Sequence, residues 1–186
     1  ANQVFWLGET VDPNDLMTWN ADTTRMPAAM HSEYLRRCYL RNEIAQGRFP
    51  VQGRPVALSD IGQPMFVVGT EKDHVSPWKS VYKILQLADT EVTFVLTNGG
   101  HNAGIVSEPG HARRRYAMAR RDAGGPWQDP DTWQAAAPRF EGSWWTAWHD
   151  WLLEQGSGRS VPARQPQKLA GLPAAPGDYV HRCYND

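Results

Sequence analysis

The chain has 186 residues, 41% of them hydrophobic and 11% aromatic, which is enough apolar matter for one core and fits a single globular domain. Its 19 Lys and Arg against 20 Asp and Glu leave a formal net charge of -1, so nothing argues for a nucleic acid or an anionic membrane as partner. No apolar run approaches the ~20 residues of a spanning helix, and no basic segment leads into an apolar one, so neither a membrane span nor a leader is expected. Cys38 and Cys183 lie far apart in a chain too large to depend on a disulfide framework, which points to a reducing compartment, the cytoplasm. The apolar cluster Val4-Phe5-Trp6-Leu7, directly behind Ala1-Asn2-Gln3, reads as a start cut from something longer.

In chain order, the Asp-Pro-Asn-Asp stretch at 12–15 predicts a turn, and Trp19-Asn20-Ala21-Asp22-Thr23-Thr24 offers helix-capping side chains ahead of Pro27. Met26, Met30, Tyr34, Leu35, Cys38 and Tyr39 recur at helical spacing with Arg36, Arg37 and Arg41 between them, until Gly47 and Pro50 end the pattern. Residues 51–64 are rich in turn formers around Val56-Ala57-Leu58, a connection with one short strand. Pro64-Met65-Phe66-Val67-Val68-Gly69 is a continuous apolar run bounded by turn residues, expected to be a central parallel strand. Ser76-Pro77 then opens a helix to about Ala88, with Val81, Ile84, Leu85 and Ala88 on one face, and a second strand spans 92–97. Strand, helix, strand with tight connections is the unit of a parallel α/β sheet with a right-handed crossover. Beyond Gly110 an arginine-rich stretch and then a Gly-, Pro- and Trp-rich one read as loop to residue 140. Ser143 caps a last helix to about Gln155, and residues 156–186 read as an extended tail.

Functional groups in open α/β sheets gather at the carboxyl ends of strands. Two loops fit, Gly69-Thr70-Glu71-Lys72-Asp73-His74 and Asn98-Gly99-Gly100-His101-Asn102, one offering a carboxylate and the other an imidazole. Asp73 and His101 suit the acid and the base of a nucleophile, histidine and acid triad, and they stand in the chain order of the α/β-hydrolases. Each also has a plainer reading, Asp73 as a cap or turn residue and His101 as a turn histidine after a glycine pair. The sequence holds neither G-x-S-x-G nor G-x-C-x-G. Cys38, mid-helix without glycine neighbours, is expected to be a buried structural cysteine, and Cys183 has no role. His74 stays outside the catalytic pair, as a structural hydrogen bond serves it equally well. His31, His111, His149 and His181 lack metal-ligand spacing, so no metal is expected. The Arg113 to Arg121 cluster reads as a solvated face or a contact to other chain before it reads as a phosphate site. Trp144, Trp145, Trp148 and Trp151 read as the buried side of a helix before they read as a binding surface.

The stretches Gly69-Thr70-Glu71-Lys72-Asp73-His74-Val75-Ser76-Pro77-Trp78 and Thr93-Phe94-Val95-Leu96-Thr97-Asn98-Gly99-Gly100-His101-Asn102-Ala103-Gly104 resemble polyhydroxyalkanoate synthases. So do Trp19-Asn20-Ala21-Asp22-Thr23-Thr24, Tyr34-Leu35-Arg36, Gly142-Ser143-Trp144-Trp145 with Trp148, and Ala175-Pro176-Gly177-Asp178-Tyr179-Val180, so the likeness runs nearly the whole chain. The tryptophan-rich end is most similar to the short-chain synthases built from one type of subunit. The resemblance implies an α/β fold, the C-terminal portion of an α/β-hydrolase-like catalytic domain over residues 1–155, with 16–50 as a cap-region helix and 156–186 as tail. It implies a Cys-His-Asp triad completed by Asp73 and His101, a cysteine elbow upstream of this sequence, and hence a chain inactive alone. The implied acyltransferase polymerises (R)-3-hydroxyacyl coenzyme A, the poly(3-hydroxybutyrate) class of polyester, with release of coenzyme A and no cofactor beyond that thioester substrate. Its expected partners are the growing polyester and a second subunit in a homodimer, in the cytoplasm at the granule surface. The rival is a non-catalytic module for oligomerisation or for docking on a granule protein, which needs neither acid nor histidine.

Overall fold

A computed structural model describes residues 14–21, 25–162 and 173–182. The chain divides into two compact units, Tyr34–Val161 and a smaller one drawn from Ala1–Glu33 and Pro162–Asp186.

In the smaller unit, Asn14 caps a helix α1 (Asp15–Ala21) by accepting from the Met17 amide at 2.9 Å. Asp12 and Pro13 of the expected turn fall outside the described residues, as do Asp22-Thr23-Thr24, while Trp19-Asn20-Ala21 lie inside a helix instead of capping one. Helix α2 (Ala28–Tyr34) begins beyond Pro27, whose carbonyl accepts from the His31 amide at 3.0 Å. The long helix expected to run on from here widens into a π-turn, Leu35–Leu40, where the Arg41 amide reaches back to Arg36 O. Just beyond it the buried Glu43 carboxylate pairs with Arg37 at 3.0 Å and with Arg41 at 3.5 Å, across the end of this turn. Cys38 is half-buried, not buried as expected.

The larger unit continues with a hairpin, β1 (Phe49–Val51) and β2 (Arg54–Val56), in place of one short strand. Gln52 and Gly53, both at positive φ (50° and 78°), form the two-residue turn that suits the twist of the strands. A four-stranded mixed sheet follows in the order β3-β4-β5-β6: β3 (Met65–Thr70), β4 (Val92–Thr97), β5 (Arg115–Arg121) and β6 (Arg139–Glu141). β3 and β4 are parallel, in register from Met65↔Val92 to Thr70↔Thr97, and the other two pairings are antiparallel. Among the described residues β3 is an edge strand, not the central one expected. The fully buried strand is β4, from Val92 to Thr97.

The expected helix from Ser76 is two short pieces, α3 (Trp78–Val81) and α4 (Ile84–Leu87), joined where Leu85 bonds back to Tyr82. It still presents one apolar face, with Trp78, Tyr82 and Leu85 packed on Val92, Phe94 and Leu96. Helix α5 (Pro130–Ala136) adds Trp133, whose ring meets Phe94 edge to face at 5.1 Å between centroids. The opposite face of the sheet carries α6 (Trp144–Gln155), with Trp144 stacked on Phe66 at 6.2 Å and Trp151 tilted against it at 5.6 Å. Trp145 and Trp148 of the expected buried row are left half-buried and exposed. With helices on both faces of a mixed sheet whose strand β4 is buried throughout, the class is α/β.

The loop expected over 110–140 in fact holds β5, α5 and most of β6. The arginines that hid β5 are spent on internal partners. Arg121 donates to the carbonyls of Leu85, Ala88 and Thr90, closing the end of α4. Arg120 pairs with Glu91 at 3.1 Å, and Arg115 lies 3.8 Å from Glu71.

Candidate active site

The parallel ladder does not stop at the strand ends. The Glu71 amide donates to Thr97 O and the Lys72 amide to Gly99 O, both at 2.9 Å, so the loops after β3 and β4 leave side by side. In the first loop, Asp73 Oδ1 accepts from the amides of Val75 at 2.9 Å and Ser76 at 2.8 Å, and Thr70 Oγ1 donates to Oδ2 at 3.3 Å. This fixes the carboxylate and also satisfies the amides ahead of α3, which is the cap reading of Asp73. The same carboxylate keeps its other oxygen, Oδ2, for a second partner. The Ser76 amide first, then His101 and the Val75 amide, hold the Asp73 carboxyl down at about 2 against the opposing pull of burial.

The second loop is set by close approach. Gly99 sits at φ +113°, and a Cβ there would lie 3.0 Å from the Gly104 backbone. A Cβ on Gly104 would lie 2.5 Å from Cγ2 of the buried Thr70. Glycine at both positions lets residues 98–107 fold tightly beside Thr70, with His101 facing the loop that follows β3. There His101 Nδ1 lies 2.9 Å from Asp73 Oδ2.

An ionised carboxylate only accepts, so Nδ1 carries the proton of the neutral ring and Nε2 keeps its lone pair. Nε2 has no hydrogen-bond partner among the described residues, and the His101 side chain is 46% exposed against 7% for Asp73. The arrangement is a buried acid orienting an accessible base, able to take a proton at Nε2 and to stabilise the imidazolium that results.

Asp73 and His101 are thus brought together as the sequence led one to expect. Thr70, and the amides of Val75 and Ser76, complete the acid's surroundings without having been anticipated; their signal was the Asp-x-x-Ser spacing ahead of a proline. His74 is exposed and hydrogen-bonds to none of the described residues, so the structural hydrogen bond that is one of its two readings is not formed. Cys38 forms no hydrogen bond to His101, and Cys183 lies outside the described residues. Among the described residues no three His, Cys, Asp or Glu side chains gather as a metal site would need, and no helix is long and apolar enough to cross a membrane.

No protein-family profile matches the chain. It is 41% identical over 177 residues to the poly(3-hydroxyalkanoate) polymerase subunit PhaC of Rhizobium meliloti (strain 1021), covering 95% of the chain and 28% of that protein. To the poly(3-hydroxyalkanoate) polymerase of Methylorubrum extorquens it is 42% identical over 168 residues, 89% of the chain and 27% of the relative. To the PhaC subunit of Cupriavidus necator it is 36% identical over 179 residues, 95% of the chain and 30% of the relative. The chain therefore spans less than a third of the length of these curated relatives. Across nearly all of its own length it is homologous to the poly(3-hydroxyalkanoate) polymerase family, corresponding to the C-terminal part of those proteins.

Proposed function

We propose that this sequence supplies the acid and the base of a polyhydroxyalkanoate synthase, an acyltransferase of α/β-hydrolase-like architecture whose cysteine nucleophile comes from chain outside it. One observation carries the reading: Asp73 Oδ2 stands 2.9 Å from His101 Nδ1, leaving Nε2 as an accessible base. The order of the two residues behind successive parallel strands, and the names of the homologous proteins, support it.

In this mechanism Nε2 takes the cysteine thiol proton as the sulfur attacks the thioester carbon of an (R)-3-hydroxyacyl coenzyme A. Collapse of the tetrahedral adduct breaks the carbon–sulfur bond to coenzyme A, and the imidazolium returns its proton to that leaving thiolate. Nε2 then accepts the proton of a 3-hydroxyl whose oxygen attacks the cysteine thioester, forming the ester and expelling the cysteine thiolate, which takes that proton back from the imidazolium. Asp73 stays ionised throughout, holding the ring and the charge upon it. The cytoplasmic granule surface and a homodimeric state belong to the same proposal.

The test is release of coenzyme A from 3-hydroxybutyryl coenzyme A by the intact protein carrying this sequence. His101→Gln should cost about 10³-fold or more in turnover with the fold retained, and the 186-residue chain by itself should release none. Undiminished turnover by His101→Gln would sink the reading. A docking module remains the rival because Tyr39 and Leu40 are 70% and 79% exposed; it gains support only if the pair proves dispensable.

A further inference from the structure

The loop bearing His101 is held from a direction the Asp73 pair does not use. Trp144 Nε1 donates to Gly104 O at 3.1 Å, Trp145 Nε1 donates to Ile105 O at 2.9 Å, and Ser143 Oγ donates to Ser107 O. Three consecutive side chains at the start of α6 thus close on three carbonyls of the histidine loop. The grip has a rigid base. The Gly142 amide donates to Arg114 O at 2.7 Å, Ser143 Oγ also caps α6 by accepting from the Trp145 amide at 3.0 Å, and α6 runs twelve residues. Trp144 also stacks on Phe66 of β3, the strand that ends in the Asp73 loop.

We propose that the first turn of α6 is a positioning clamp for the base, resting on the catalytic reading above: Ser143, Trp144 and Trp145 set the histidine loop against the acid-bearing strand. One element touches both the strand that leads to Asp73 and the loop that bears His101, and so bears on the separation on which the Nδ1 contact depends. The tryptophans read from their spacing as core, but it is their indole N–H groups that act on the loop. Trp144 and Trp145 are positioning residues; neither reaches the reacting atoms.

The experiment uses the intact protein with Trp145→Phe, which keeps a ring and removes the donor, and Ser143→Ala beside Ser143→Thr, which restores the hydroxyl. Hydrogen exchange is followed by mass spectrometry over residues 98–107 together with turnover of 3-hydroxybutyryl coenzyme A. The clamp requires faster exchange in that loop, with β4 and β5 unchanged, and kcat lowered about 10-fold at constant KM. Ser143→Thr should restore both. Unchanged loop exchange in Trp145→Phe and Ser143→Ala overturns the clamp. Faster exchange with wild-type kcat, where His101→Gln is inactive, overturns the positioning role and leaves the catalytic reading standing. An active His101→Gln removes the catalytic reading and the positioning role together, whatever the exchange shows.

Discussion

Strand β4 and the segment from Met26 to Leu40 both carry large apolar side chains in a regular pattern, yet their fates differ. Phe94 and Val95 are wholly buried, whereas Met30, Tyr34, Leu35, Tyr39 and Leu40 are exposed. The difference lies in partners. β4 has strands on both edges and helices over both faces, including α3 and α4, whose apolar face was written into the same stretch of sequence. The 26–40 segment is helical in two pieces, Ala28–Tyr34 and the π-turn Leu35–Leu40, and these large apolar side chains stay exposed among the described residues. Periodicity says which side is apolar; it does not say that something covers it.

The comparison can be broken first at the core. Trp133→Ala removes a buried ring that meets Trp78, Tyr82 and Phe94, and should cost about 3–5 kcal/mol in denaturant unfolding. A stable variant would mean that the aromatic cluster does not hold α5 to the sheet. Gly104→Ala drives a methyl onto the buried Thr70, so about 1–3 kcal/mol of stability should go, and turnover with it as the two loops part. Thermal melts and initial rates measured on one preparation would show whether the two losses travel together.

Smaller is the pH effect of the acid. The Asp73 carboxyl lies at about 2 in the fold, below its ordinary 3.8, so its ionised form stabilises the native state above 3.8. That stabilisation should fade as the pH drops below 3.8 and be lost as it passes through about 2. Unfolding of wild type and Asp73→Asn at successive pH values should therefore converge at the acid end; curves that stay parallel would contradict the assignment. Smallest of all, Leu40→Ser should move stability by no more than about 0.5 kcal/mol, because an exposed side chain leaves no cavity. A large loss there would show that the segment is covered after all.

How much could be read in advance follows the same division. The strand from Met65, the apolar face between Trp78 and Ala88, the strand after it and the two loops that bear Asp73 and His101 were legible, because apolar runs and glycine pairs are local signals. The last helix was legible from Ser143. β5 was not, since Arg115, Arg120 and Arg121 look like a solvated loop until their partners, carbonyls and carboxylates from remote residues, are in place. α5 does carry a local signal, for Asp129 accepts from the amides of Asp131 and Thr132 with Pro130 in the first turn. For the site, Asp73 and His101 could be named from their places behind strands. Their contact depends on close approach at Gly99 and Gly104 and on the indole donors of α6, none of which spacing reveals.

The central claim is that Asp73 and His101 act as one unit in acyl transfer, and a double-mutant cycle on coenzyme A release by the intact protein tests it most directly. If the acid works only through the base, Asp73→Asn should add little to the loss already caused by His101→Gln, giving strongly non-additive rates. Losses that simply multiply, or an Asp73→Asn variant with wild-type turnover, would contradict the account.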